Sequence, residues 1–278
     1  MLVSLKSLMH DAREGHYAVG AFNLLSIEHV RGAVRAAEEL RSPLIIQLAE
    51  VQFPCAPMEF MAPVYLEAAR RASVPVCVHL DHGQSFETCA RALKLGFNSV
   101  MFDGAALSFD DNVAATREVS RLAHAVGADV EAELGKVGDA GAASSDADVF
   151  TDPAEAARFI EMTGIEALAI AIGNQHGKYV ATPHLNIGRL KEIASLTNLP
   201  LVLHGGSGTT LEDFKACVHG GICKINVATA LQIAVTSAVS EYVGRPDAGY
   251  IGMKSVIEDA TCEEVKRHML IFESDGRA

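Results

Sequence analysis

Apolar positions along this chain follow two periods, and the two take turns. Short continuous runs, at Tyr17–Phe22, Pro43–Leu48, Pro75–Leu80, Ser99–Phe102, Asp129–Leu134, Ala167–Ile172, Pro200–His204 and Ile222–Val227, have the length of buried strands. Between them the apolar residues recur every three or four positions. Ile27, Val30, Val34 and Ala37 follow Ser26, whose hydroxyl suits a helix N-cap. The same spacing predicts helices over Glu59–Ala72, Phe86–Leu95, Asp110–Val126, Thr210–His219 and Thr229–Tyr242, and a helix or turn around Asn186–Ala194. Pro153 opens another helix, with Thr151 and Asp152 as candidate caps, and Asp247–Leu270 holds one or two more.

Eight strand–helix units predict a parallel sheet closed into a (β/α)8 TIM barrel with extra C-terminal helices. The count of eight, and the lack of a Gly-x-Gly-x-x-Gly turn after the first strand, favour this over an open doubly wound sheet. No linker-like composition interrupts the chain, so residues 1–278 read as a single domain. Two stretches depart from the pattern. Asp129–Leu134 alternates carboxylates with apolar residues, which is unusual in a buried strand. Residues 135–152 are rich in Gly, Ala, Ser and Asp without a period, and read as a long mobile loop.

Composition narrows the partners. A formal net charge of -12 argues against nucleic acid or an anionic membrane, because both need a basic surface, but leaves room for a small anionic substrate. No stretch of about 18 apolar residues predicts a membrane span, and the N-terminus lacks the form of a secretory signal, so the expected location is cytoplasmic. The six cysteines are scattered, with no Cys-x-x-Cys; Cys77 and Cys223 sit in apolar runs as small hydrophobes.

In such barrels chemistry gathers at the C-terminal ends of the strands. Three histidines fall there: His82 in His79-Leu80-Asp81-His82, His176 in Gly173-Asn174-Gln175-His176-Gly177, and His204 before Gly205-Gly206-Ser207. Each alone reads as a hydrogen-bonded structural histidine. Together they match the three protein ligands of a catalytic zinc site with an open position. His79 shares a strand face with Asp81 and suits either a supporting role or a core one. Asp81 is either a carboxylate that orients a histidine or a general acid/base, and spacing does not choose between them. Asp103 and Glu133 also end strands, as an alternative metal position or as hydrogen-bond partners. Glu131 and Glu133 point to one face, so one of them suits pairing with a lysine. Gly205-Gly206-Ser207-Gly208 and Asn226-Val227-Ala228-Thr229 follow the last two strands, where barrels often hold phosphate on backbone N–H groups and a helix N-terminus. Lys178 and Lys224 are nearby cations, each more commonly explained as a surface lysine.

These motifs, with Ala21-Phe22-Asn23, Val130-Glu131-Ala132-Glu133-Leu134-Gly135 and Lys224-Ile225-Asn226-Val227-Ala228-Thr229, resemble those of the class II, metal-dependent ketose-bisphosphate aldolases, closest to the tagatose- and fructose-bisphosphate type and its short relatives. The resemblance spans essentially the whole chain. It implies zinc-dependent reversible cleavage of a ketose (bis)phosphate, a small phosphorylated sugar, to dihydroxyacetone phosphate and an aldehyde. It implies His82, His176 and His204 as zinc ligands, with Asp103 and Glu133 as a second metal position. The metal would polarise the ketose carbonyl and stabilise the enediolate, while Asp81 carries the C4 hydroxyl proton. Asn23, Gly177, Gly205, Gly206, Ser207, Asn226, Val227, Ala228 and Thr229 would hold the substrate. A monovalent cation (Na+ or K+) and a homodimer or homotetramer are further expectations.

Two departures concern the aldehyde half. Where many family members carry Gln-x-Ser at the end of the second strand, this chain has Gln47-Leu48-Ala49-Glu50. The loop reads Gly138-Asp139-Ala140-Gly141 in place of a glutamate-bearing cluster, with Asp139, Asp146 or Asp148 as substitutes. Competing readings on the same barrel are a metal-dependent sugar-phosphate isomerase or epimerase, and a non-catalytic sugar-phosphate-binding protein.

Overall fold

The computed structural model describes residues 1–135, 138–139, 150–177 and 184–278. Its strands are β1 (Val19–Asn23), β2 (Leu44–Ala49), β3 (Val76–Gly83), β4 (Ser99–Phe102), β5 (Asp129–Leu134), β6 (Gly138–Asp139), β7 (Ala167–Ile170), β8 (Gln175–His176), β9 (Leu201–Leu203) and β10 (Ile222–Val227). Eight of them close into a parallel barrel in the order β1-β10-β9-β7-β5-β4-β3-β2, while β6 and β8 pair separately. The helices are α1 (Leu5–Gly15), α2 (Ile27–Leu40), α3 (Met58–Arg71), α4 (Phe86–Lys94), α5 (Phe109–Ala125), α6 (Pro153–Thr163), α7 (Ile187–Leu196), α8 (Leu211–Gly220), α9 (Thr229–Val243) and α10 (Tyr250–Ile271). The expected barrel with C-terminal helices is what the chain forms, and the extra C-terminal segment is one long helix. The predicted caps hold where they were read: Ser26 accepts from His29 N, and Asp152 from Ala154 N and Glu155 N.

The apolar side chains form two layers. Outward residues of the strands, such as Ile46, Val78, Val100, Leu168 and Ile225, pack against the surrounding helices. Inward residues Ala21, Ile45, Cys77, Met101, Ala169 and Val202 form a second cluster with Leu5, Leu8, Met9 and Ala12. The latter four lie on α1, which closes the N-terminal end of the barrel. This helix was not among the predicted elements, although Ser4 as cap and apolar residues at three- and four-residue spacing are present in the sequence. α10 packs along α2, where Gly32 permits close approach: a Cβ there would meet Glu258 O at 2.4 Å. Arg35 spans the same seam to Asp259 at 2.7 Å.

The three carboxylates of β5 now have a reason. All three are buried and face the barrel axis at successive heights. Asp129 Oδ2 accepts from Lys6 N at the start of α1 at 2.7 Å. Glu131 sits in the middle, and Glu133 at the C-terminal rim. Of the predicted loop, residues 136–137 and 140–149 lie outside the described set, as do the candidates Asp146 and Asp148; the Asp139 side chain is likewise not described.

One buried histidine away from the rim makes the fold sensitive to acid. His268 on α10 sits among Phe22, Phe214 and Phe272. Its Nδ1 donates to Glu264 O at 3.0 Å, which leaves Nε2 as acceptor for Arg267. Burial, and secondarily the Arg267 charge, push its pKa down to about 4 from 6.5. The unfolded chain therefore binds the proton first, so this contribution is complete above pH 6.5 and is lost as pH falls towards about 4. We expect His268→Phe to blunt the loss of stability between pH 7 and pH 5, measured by urea unfolding, by an amount on the order of 1–2 kcal/mol.

Candidate active site

Asp81 and His82 are neighbours in a strand, and regular alternation would send them to opposite faces. The pairing of β3 with β4 shows how this is avoided. Leu80 pairs with Val100 but Gly83 pairs with Phe102, so β3 carries one extra residue. His82 takes up the irregularity in the left-handed region, at φ 46. A bulge of this kind bends the strand and re-aims side chains. Asp81 keeps the inward position opposite Ala49, and His82 swings onto the same rim. A non-glycine residue in this conformation costs on the order of 1–3 kcal/mol, and is retained where neighbouring groups hold it.

The held group is a continuous chain of hydrogen bonds. His82 Nδ1 lies 2.7 Å from Asp103 Oδ2, and its Nε2 lies 2.8 Å from His204 Nδ1. His204 Nε2 reaches Glu131 Oε1 at 2.8 Å. Both end groups are carboxylates, which accept, so His204 carries its proton on Nε2 and offers Nδ1 to the site. His82 then bears two protons. Burial is the largest single influence on it and opposes the charge, yet Asp81, Asp103 and Glu133 outweigh burial and push its pKa up to about 9. The proton shared by His82 Nε2 and His204 Nδ1 lies where a cation would sit among these carboxylates, and a metal bound there would displace it.

Those donors suit a metal ion. Asp81, His82 and His204 offer ligand atoms within 4.8 Å of one another, as do His82, Asp103 and Glu133. Imidazole and carboxylate together fit zinc, and Glu131 supplies the outer carboxylate that fixes a ligating histidine. The third expected ligand, His176, lies on β8, but its side chain is outside the described residues. Its neighbour Gly177 lines the same cavity as Asp81 and His82. The backbone at Gln175 packs tightly on Gly205, where a Cβ would lie 1.9 Å from Gln175 O and φ is +67. Only glycine fits there.

Asp81 is anchored from both sides. Asn23 Nδ2 donates to Oδ2 and Asn226 Nδ2 to Oδ1, each at 2.9 Å. Both amides are themselves held, Asn23 Oδ1 by Gln47 Nε2 at 2.9 Å and Asn226 Oδ1 by Lys224 Nζ at 2.6 Å. Burial opposes the charge of Asp81, but His82, His204, Lys224 and the Asn23 bond hold its carboxyl below the ordinary range. The carboxylate is therefore ionised and fixed, with its oxygens facing a cavity of about 520 Å³.

Asn23, Gly177, Gly205, Gly206, Ser207, Asn226, Ala228 and Thr229 all line this cavity, as do Asp103 and Glu133. Ser207 Oγ accepts from Ala230 N at 3.0 Å, which ties the glycine-rich turn to the start of α9. The Val227 side chain points outward from β10 into the shell between barrel and helices, because alternation gives the inward face to Lys224 and Asn226. Lys224 is a correction: it is fully buried inside the barrel, 2.9 Å from Glu131, and not a surface cation. His79 is a core histidine, bonded to Ser99 Oγ at 2.8 Å. Lys178 lies outside the described residues.

Sequence reasoning missed Gln52, Gln84 and Gln232, which also line the cavity. Gln52 Oε1 accepts from Ala49 N at 3.1 Å and from Asn23 at 3.2 Å, next to the position that lacks the hydroxyl. Gln84 directly follows the end of β3, whereas no strand end or motif marks Gln52 or Gln232. Glu50 turns away from the cavity to accept from Gln84 N and Thr88 Oγ1.

Comparison with known proteins agrees with this geometry. The family model described as fructose-bisphosphate aldolase class-II matches residues 3–277. A probable fructose-bisphosphate aldolase of Bacillus subtilis is 41% identical over 252 residues, 88% of each chain. A fructose-bisphosphate aldolase of Staphylococcus aureus is 37% identical over 288 residues, covering 100% of this chain and 99% of the relative. The crystal structure of the YdjI aldolase from Escherichia coli K12 superposes over the whole of both chains with a TM-score of 0.89 at 36% identity. The chain belongs to the class II fructose-bisphosphate aldolase family.

Proposed function

We propose that this protein is a zinc-dependent aldolase that reversibly cleaves a ketose phosphate into dihydroxyacetone phosphate and an aldehyde. The observation that carries this reading is the ionised Asp81, pinned by two amides beside the converging nitrogens of His82 and His204. His82, His204 and, by the sequence pattern, His176 would hold the metal. Bound there, zinc supplies the Lewis acid that draws electrons from the ketose carbonyl. Asp81 accepts the C4 hydroxyl proton as the C3–C4 bond breaks, and returns it to the aldehyde oxygen in condensation. Asn23 and Asn226 keep its free lone pairs turned to the cavity. The turn at Gly205, Gly206 and Ser207 and the N-terminus of α9 offer backbone N–H groups to the donor phosphate, as helix N-termini do for anions. The same reading takes the protein to be a homodimer or homotetramer.

The acceptor side supports an aldehyde without a phosphate of its own. The methyl of Ala49 stands opposite Asp81, and Val51, Gln52, Gln84, Ala105 and Ala106 complete that wall. Among the described lining residues there is no Lys or Arg. Amide groups match the hydroxyls of a neutral sugar aldehyde better than a dianion.

A panel of ketose 1-phosphates and ketose bisphosphates, with coupled detection of dihydroxyacetone phosphate, tests the reading. Release is expected from ketose 1-phosphates in preference to bisphosphates. Isomer interconversion without release would favour the isomerase, and ligand binding with neither reaction would favour a sensor. Asp81→Ala is expected to keep zinc but lose cleavage by about 10²–10⁴-fold, whereas His204→Ala loses zinc itself, both read by metal analysis beside steady-state rates. Chelation should abolish cleavage and added zinc restore it; full activity in stripped protein would rule out the mechanism.

A further inference from the structure

Lys224 is a complete lysine side chain with no exposure, at the centre of the barrel, and the reaction proposed above gives it no task. We infer that Lys224 is a positioning residue that sets Asp81 and His204 from one point. Its Nζ donates to Asn226 Oδ1 at 2.6 Å and lies 2.9 Å from Glu131 Oε2. An ammonium has donors only. The Asn226 amide must therefore turn its oxygen towards Lys224, which turns Nδ2 towards Asp81 Oδ1. The reversed amide would place a carbonyl against the carboxylate and N–H groups against the ammonium. In the other direction Lys224 balances the charge of Glu131, whose Oε1 takes the Nε2 proton of His204 and leaves Nδ1 facing the site.

One buried cation thus fixes the two members of the site that the cleavage reading needs most, the proton carrier and a metal ligand. Stability alone does not call for it. An apolar pair of similar volume commonly serves a core as well as a buried ion pair or better, because both charges must leave water. The small inward residues nearby, such as Ala21 and Ala169, show that this barrel can be filled without charge. Placement of the ammonium against one amide oxygen and one carboxylate is what an apolar residue cannot reproduce.

This inference rests on the aldolase reading, and two half-reactions separate them. Removal of a carbon-bound proton from dihydroxyacetone phosphate does not involve the aldehyde oxygen that Asp81 serves, whereas cleavage does. Lys224→Met alone strands Glu131 as a buried unpaired charge and endangers the fold. The second variant, Lys224→Met with Glu131→Gln, removes both charges and keeps an acceptor oxygen for His204. For the double variant we expect a cooperative thermal transition, about one zinc per chain at saturating zinc, and cleavage that falls much further than solvent hydrogen exchange into dihydroxyacetone phosphate. Cleavage kcat should fall on the order of 10²-fold with KM changed by no more than about twofold. Parental kcat and KM in the double variant would overturn the inference. An equal fall in exchange and cleavage would also overturn it, since that marks general damage. If the parent protein catalyses neither exchange nor cleavage, the aldolase reading fails, and this inference with it.

Discussion

The site depends on one irregularity in one strand. Two adjacent residues of β3 serve the same rim only because the strand carries an extra residue between Leu80 and Gly83, with His82 in a left-handed conformation. The backbone there is held by what the side chain gains. His82 bonds Asp103 on one side and His204 on the other, and its neighbour Asp81 takes two amide N–H groups. Strain stored at a bulge and bonds that over-determine it are two sides of one arrangement. The rest of the barrel supplies those partners from β1, β9 and β10 and from the rim beyond β4.

Below the rim the barrel interior is layered by polarity. α1 and small inward residues make an apolar floor, closed by the bond between Asp129 and the first turn of α1. Above it, Glu131, Lys224, His79 and Gln47 form a buried polar storey, and on that storey stand the groups that face the cavity. Glu131, Lys224 and Gln47 each hydrogen-bond a group that faces the cavity, through His204, Asn226 and Asn23 respectively, so the polarity of the core becomes orientation at the rim. Low local dielectric makes such a network costly when incomplete and rigid when complete.

The two halves of the cavity are built differently. One half is lined by the turn at Gly205, Gly206 and Ser207 and by the N-terminus of α9, which present backbone groups. The other half is lined by Ala49 at the end of β2 and by Val51, Gln52, Gln84, Ala105 and Ala106 on the connections after β2, β3 and β4. Such connections vary with little effect on the barrel.

Much of this was legible from the residues in order. Eight apolar runs with amphipathic stretches between them specify the barrel, because periods of two and near four are local properties of backbone geometry. His82, His204, Asp81 and the glycine turns could be singled out because each closes a strand, and strand ends in a barrel converge. Tertiary structure alone decided the rest. That Lys224 is buried, that Val227 faces outward and that Gln52 reaches the cavity depend on register, on which face of a strand looks inward, and on where a short connection lies after the barrel closes. That Asp81 and His82 share a rim depends on a bulge that no residue type announces. Spacing along a chain fixes period and end point; contacts between residues far apart in sequence fix charge state, amide orientation and role.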